Sequence, residues 1–226
     1  MKRLLYYSQL RRDSESEFRQ MVNTDIESLR RDWSAQGLYD VSIFVLQQFV
    51  FIYAEAGSSS EYAEWRWPRY YGRILETWPL VPLSMGHPSG STDSLEVPLI
   101  AIFHDGLPSD RSSWRDHRHI DERIGSVACL RPEMAASYIY YHFQKQEEAA
   151  SSFNQTYMIG MFGTLIFSYH ELPSLTSGHK PQGLLHTRQS PIHWHDAMLP
   201  HFIPWKDESG NDILWMQMER IQGSSL

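Results

Sequence analysis

Only one of the 226 residues is a cysteine, Cys129, which excludes an intramolecular disulfide and makes a reducing, cytoplasmic setting the expectation. Long hydrophobic runs are missing too: residues 41–45 and 99–103 fall far short of the ~20 apolar residues a membrane helix needs. Basic residues are in deficit, with 20 Lys and Arg against 27 Asp and Glu and a formal net charge of −7. General nucleic-acid binding is therefore not expected, because phosphate contacts need clustered cations. The opening MKRLLYYSQLRRDSE starts basic, but charge returns at Arg11 and Arg12 with no small-residue cleavage site behind it, so it reads poorly as a secretory leader. What the chain does have is a globular share of apolar residues, 42%, and an aromatic share of 13%. Its histidines are crowded: ten of eleven lie at or after His104.

Hydrophobic periodicity gives the order of elements in the first half. KRLLYYSQL reads as a strand. A helix follows, opened by Ser14 and Glu17 at capping-box spacing, with Phe18, Val22, Ile26, Leu29 and Trp33 on one face and Gly37 as its stop. VSIFVLQ and FVFIYAEA read as a hairpin. The spacing then predicts a second helix over GSSSEYAEWRWPRYYGRILETW, with Pro68 in its first turns. A Gly/Pro/Ser loop and a last strand near Leu95 complete the unit.

The second half permits the same reading. VPLIAIFHDG is expected as a strand, residues 110–130 as a helix, SYIYYHFQ and TLIFSYHEL as the paired strands, residues 190–205 as the second helix, and DILWMQMERI as the closing strand. Trp114 lies 96 residues after Phe18 and Ile139 lies 96 after Ile43, which favours an internal duplication. The boundaries expected are residues 1–97 and 98–226.

Strand-helix-strand-strand-helix-strand is the ferredoxin-like order, an antiparallel sheet with both helices on one face. The open face of such a sheet needs a cover. The fold class expected is therefore α+β: two tandem ferredoxin-like βαββαβ units packed sheet to sheet within one chain, as in a dimeric α+β barrel. Read as a strand, SYIYYHFQ places Ile139 and Tyr141 toward the helices, and Tyr138, Tyr140 and His142 toward the space between the sheets.

The segments EFRQMVNTDIESL, QGLYDVSIFVLQ, FVFIYAEA and RYYGRILETWPLVP resemble the L-rhamnose mutarotase family of the dimeric α+β barrel superfamily, over about the first hundred residues. WRDHRHIDERI, SYIYYHFQ and IHWHDAMLP carry a weaker resemblance in the second half. The resemblance implies cofactor-independent interconversion of sugar anomers, with a histidine in the first helix, a tyrosine on the following strand and a tryptophan pair in the second helix. In the first half those places fall on Val22, on Val41 or Phe44, and on Tyr70-Tyr71, so that half lacks the acid/base set. In the second half His117 or His119, and Tyr138 or Tyr140, are the expected catalytic residues. His142, Trp194, His195 and Met198 are the expected substrate-binding residues. Histidine suits the task because its ordinary pKa of ~6.5 lets it both accept and give a proton.

His117 and His119 stand two apart, so on a helix at most one enters a shared site, and the charge-dense WRDHRHIDER around them equally fits a solvated face. His193, His195, Asp196 and His201 invite a metal reading, but spacing of two suits one metal on a strand and not on a helix, and no HExxH or CxxC accompanies them. No metal and no cofactor are expected. The partner expected is a small molecule, a sugar; neither nucleic acid nor membrane is, and two tandem chains could pair as a homodimer. Two other functions fit the same fold. One is a haem-binding or monooxygenase-type protein, with His142, His170 and His104 as ligands or bases. The other is a non-catalytic binding or oligomerisation module.

Overall fold

The alternating and three-and-four patterns of the sequence build an α+β protein with two antiparallel sheets and, among the described residues, three α-helices. The computed structural model describes residues 1–57, 65–79, 93–107, 118–149, 151–176, 183 and 185–221. The chain divides into two compact units: residues 1–99 with 219–226, and residues 100–218.

In the first unit, β1 (Lys2–Gln9) leads through α1 (Glu15–Ala35) to the hairpin β2 (Leu38–Leu46) and β3 (Phe49–Ala56). Ser14 sits at the helix N-cap, although its side chain makes no capping bond. Gly37 leaves the helix at φ 78°, a left-handed conformation that glycine adopts without a Cβ penalty. Val41, Ile43 and Val45 of β2 share one apolar cluster with Phe18, Val22, Leu29 and Trp33 of α1. Seven of the eight β3 residues are buried, so both faces of this strand are covered.

Residues 58–64 of the expected second helix lie outside the described residues. The rest forms a single 3-10 turn, Arg69–Arg73, preceded by an irregular stretch in which Trp65 and Trp67 turn inward and Arg66 outward. Pro68 explains the difference: it has no N–H to give and disfavours a helical residue before it. A two-residue ladder joins β4 (Trp78–Pro79) to β5 (Asp93–Ser94), and β6 (Val97–Pro98) then pairs with β1. The sheet also takes in the last strand of the chain, β15 (Glu219–Ile221), giving the order β15-β2-β3-β1-β6.

The second unit departs most from the sequence reading. β7 (Ile100–His104) is a strand as expected, but it lies at the sheet edge beside β9 (Met158–Phe162). Of the expected helix over residues 110–130, residues 110–117 lie outside the described residues, and residues 122–130 form the strand β8 (Glu122–Leu130). ERIGSVACL, with the β-branched Ile124 and Val127, suits a strand. SYIYYHFQ, expected as a strand, lies in the helix α2 (Ala135–Glu148). Its inward residues Tyr138 and His142 are four apart, which satisfies a period of 3.6 as well as one of 2. The deciding signals are Pro132 in the turn that opens the helix, Ala135-Ala136, and the helix-forming run Gln144 to Glu148.

β9 and β10 (Leu165–Leu172) form the hairpin of this unit. A short helix, α3 (Trp194–Met198), and β11 (Phe202–Ile203) follow, and β12 (Trp205–Lys206) pairs with β13 (Asp212–Ile213). β14 (Met216–Gln217) adds to β8, and the order of the main sheet is β11-β8-β10-β9-β7. The expected closing strand DILWMQMERI is therefore divided among β13, β14 and β15, the last in the first sheet.

The offset of 96 pairs unlike elements, because Ile43 lies in the strand β2 and Ile139 in the helix α2. In β3 the Tyr53 hydroxyl donates to Glu55 at 2.6 Å, and in β10 the Tyr169 hydroxyl donates to Glu171 at 2.9 Å.

Candidate functional site

One stripe of α2 carries Tyr138, His142 and Lys145, spaced as neighbours on a helix face. They meet Tyr157, which precedes β9, and Trp194, His195 and Met198 of α3 around a cavity of about 370 Å³. Phe103, Phe202 and Trp215 add apolar wall. The volume is at the lower end for small-molecule sites, ~300–1,000 Å³.

Separate anchors hold the contributing segments. Asn154 fixes the approach to β9: its side-chain Oδ1 accepts from the Thr156 amide and hydroxyl, and its Nδ2 donates to the Glu171 carbonyl at 2.9 Å. The Tyr157 backbone follows, its amide donating to the Asn154 carbonyl at 2.8 Å and its carbonyl accepting from Asp105 at 3.0 Å. Glu148, the last residue of α2, ties down the strand of chain that leads to α3. Its carboxylate accepts from the Thr187 hydroxyl and from the amides of Gln189 and Ser190. Desolvation works against that charge, but these hydrogen bonds prevail and hold the carboxyl at about 2. Glu148→Gln is expected to speed amide exchange several-fold at residues 189 and 190 and to raise the exposure of Trp194, read by hydrogen exchange and acrylamide quenching. Unchanged protection would show that the anchor is idle.

His142 is the centre of the site. Its ring is buried among Tyr138 (centroids 4.0 Å apart), Trp194 (4.9 Å) and Phe103 (5.6 Å). Nδ1 lies 2.9 Å from the Tyr138 carbonyl, which can only accept, so the Nδ1 proton is fixed there and Nε2 keeps its lone pair. Burial lowers the imidazole to about 4, with the positive charge of Lys145 acting in the same direction; the Nδ1 bond opposes them in part. His142 is therefore a neutral base at physiological pH. Burial raises Tyr157 to about 12 and raises Tyr138 well above its ordinary value, so both keep their hydroxyl protons.

Of the eight residues expected from sequence, Tyr138, His142, Trp194, His195 and Met198 come together at this cavity. Tyr140 does not: it points away from the cavity stripe on α2 and is 53% exposed, because a helix turns it away where a strand would have aligned it with Tyr138. His119 is not on a helix; it lies in the segment before β8, its side chain 89% exposed and 3.5 Å from Asp121. His117 lies outside the described residues. His104 and His170 are not among the described lining side chains, and the His170 ring lies tilted against Tyr157, centroids 5.6 Å apart. His201, one of the four residues of the metal reading, is buried between Ser137 and the Met198 carbonyl. Lys145 and Tyr157 were missed. Reading α2 as a helix would have exposed Lys145 through its spacing from His142, and would have moved the following strand onto β9, beside Tyr157.

The matching places of the first unit hold no such set. Phe18, Val22, Val41 and Tyr71 are fully buried in its apolar cluster, where Trp67 packs against Phe18 and Tyr71. Val22→His is expected to cost this unit roughly 2–4 kcal/mol by burying an unpartnered imidazole. A lowered denaturation midpoint would register it, and unchanged stability would contradict a filled core.

No protein-family model and no curated protein matches the chain. Among solved structures, a protein described as a "putative monooxygenase" from Fusobacterium nucleatum subsp. nucleatum is similar, at 9% identity and a TM-score of 0.35. The match covers 96% of this chain and 90% of that one. No helix among the described residues is long and apolar enough to cross a membrane.

Proposed function

We propose that the chain is a tandem of two ferredoxin-like units and that the second is a cofactor-independent, mutarotase-like enzyme acting on a sugar. Unit by unit, the orders β6-β1-β3-β2 and β11-β8-β10-β9 support the tandem reading, the first sheet with β15 added beside β2 and the second with β7 added beside β9 and β14 on β8. The observation that carries the function is the meeting of His142, Tyr157 and the pair Trp194-His195 at one cavity. His142 stands on the helix, Tyr157 just before the following strand and Trp194-His195 on the second helix, near the places where the mutarotase resemblance implies a histidine, a tyrosine and a tryptophan pair, with His195 in place of the second tryptophan. His142 thus replaces His117 and His119 as the acid/base.

The chemistry follows from the protonation states. Neutral Nε2 of His142 takes the proton of the anomeric hydroxyl while the bond from C1 to the ring oxygen breaks, leaving an open-chain aldehyde. A tyrosine hydroxyl, from Tyr157 or Tyr138, donates a hydrogen bond to the ring oxygen as negative charge develops there. The imidazolium then gives its proton to that oxygen, and closure on the other face reverses each step. Trp194 offers an aromatic wall to the C–H face of the sugar.

Saturation-transfer NMR across a panel of aldoses tests this, with faster exchange between anomers than in buffer as the expected result. Exchange at the buffer rate for every sugar would remove the proposal. A planar aromatic ligand is the second reading, favoured by the Phe103 and Phe153 rings, stacked at 16° on the cavity wall. Haem titration examines the cofactor form of that reading through a Soret band.

A further inference from the structure

His201 belongs to the histidine-rich segment that the sequence singles out, yet neither it nor Ser137 is among the described residues lining the cavity. The two form a pair of their own. His201 ends the 3-10 turn Leu199–His201, and its backbone carbonyl accepts from the Arg131 amide at 2.8 Å, which ties the turn to the end of β8. Its ring is buried, with Nδ1 3.1 Å from the Met198 carbonyl. A carbonyl can only accept, so in the neutral ring Nδ1 holds the proton and Nε2 presents its lone pair. Ser137 Oγ lies 2.8 Å from Nε2. The serine hydroxyl has one proton and two acceptors in reach, this nitrogen and the Met134 carbonyl at 3.0 Å. The nitrogen is the nearer and the more basic of the two. Hydroxyl, imidazole and fixed carbonyl thus stand in the order nucleophile, base and orienting group.

We propose that Ser137 is an acyl-accepting nucleophile and His201 its general base, in an esterase-type site separate from the cavity. Oγ attacks the carbonyl carbon of an ester while Nε2 takes the hydroxyl proton. The ester C–O bond then breaks, and the alcohol leaves with that proton. Water attacks the acyl-serine through the same base, releasing the carboxylic acid and restoring the hydroxyl. Burial shields the imidazole from water, whereas Ser137 is half-buried and keeps an open side. Ser137 is the third residue of α2, so the positive end of the helix favours the oxyanion of the tetrahedral intermediate. Exposed Tyr140, a helix neighbour of Ser137, and exposed Leu199 and Ile203, two residues either side of His201, give the surroundings an apolar character. The substrate class is therefore a carboxylic ester with apolar substituents.

The test treats the whole chain with diisopropyl fluorophosphate, whose P–F bond an activated serine breaks as fluoride leaves, and locates the adduct by peptide mass spectrometry. One phosphoryl group is expected at Ser137, and none there in the chain unfolded by urea. Labelling should slow about 10²- to 10⁴-fold in His201→Gln, the usual contribution of a positioned base. The native chain should also hydrolyse p-nitrophenyl butyrate, and the labelled chain should not. No adduct at Ser137 of the native chain overturns the proposal, whatever the variant does, so it stays decidable if His201→Gln fails to fold. Equal labelling in urea overturns it too, as does an unchanged rate in a folded His201→Gln, because the pair would then only cap the start of α2. Hydrolysis of the ester that persists after Ser137 is fully labelled has the same force.

Discussion

His142→Asn is expected to slow anomer exchange by roughly 10²- to 10⁴-fold, the usual contribution of a positioned acid/base. Asparagine keeps a donor for the Tyr138 carbonyl but removes the basic nitrogen, so substrate affinity should change far less than kcat. The wild-type pH profile carries the same signature. His142 is lowered to about 4, so its neutral form persists well below the ordinary histidine range. The acid limb should therefore lie near pH 4, not near 6.5. Stability follows the same difference with a definite sign. Between pH 6.5 and 4 the unfolded chain binds a proton at this residue that the folded chain does not, so stability falls as pH falls through that window. The loss should approach roughly 3 kcal/mol below pH 4, and His142→Asn should flatten that part of a melting-temperature profile. A profile of the same slope in the variant would count against a buried neutral imidazole.

The largest loss of stability is expected at Asn154. Its side chain accepts from Thr156 and donates to the Glu171 carbonyl, and its backbone amide donates to Asp105 Oδ2 at 2.7 Å. Asn154→Leu leaves several of these buried groups without partners, each worth ~1–3 kcal/mol, so a total of about 3–5 kcal/mol is expected. Because the chain has two units, the effect should be read as local opening and not as one global transition. Amides of β9 and β10 should exchange faster while those of β2 and β3 keep their protection. Equal acceleration in both units would show that they unfold together.

The first unit was legible because its signals agree. Phe18 to Trp33 fit only a helix, and VSIFVLQ with FVFIYAEA fit only a hairpin; in the structure they are α1, β2 and β3. The second unit was misread where two periods coincide. Tyr138 and His142 share a face in a strand and in a helix alike, so the alternation alone could not choose. Choosing strand sent the search for a first-helix histidine back to His117 and His119, while the later strand TLIFSYHEL and a helix within residues 190–205 stayed where they were expected. Even so, Tyr138, His142, Trp194, His195 and Met198 line one cavity, because a period of 2 and one of 3.6 bring the same Tyr138 and His142 to one face. Lys145 and Tyr157 were missed, because their part in the site depends on the backbone geometry. The second helix of the first half failed for a local reason, Pro68.

The placement of β15 has a consequence for biosynthesis. Residues 219–221 complete an edge begun by residues 43–45, so the first sheet remains unfinished until residue 221 has been synthesised. Until then Ile43, Phe44 and Val45 present unpaired backbone on that side, a template for mispairing between nascent chains. A gene fragment ending at residue 99 should consequently yield sticky, aggregating material, because its sheet lacks the strand of residues 219–221.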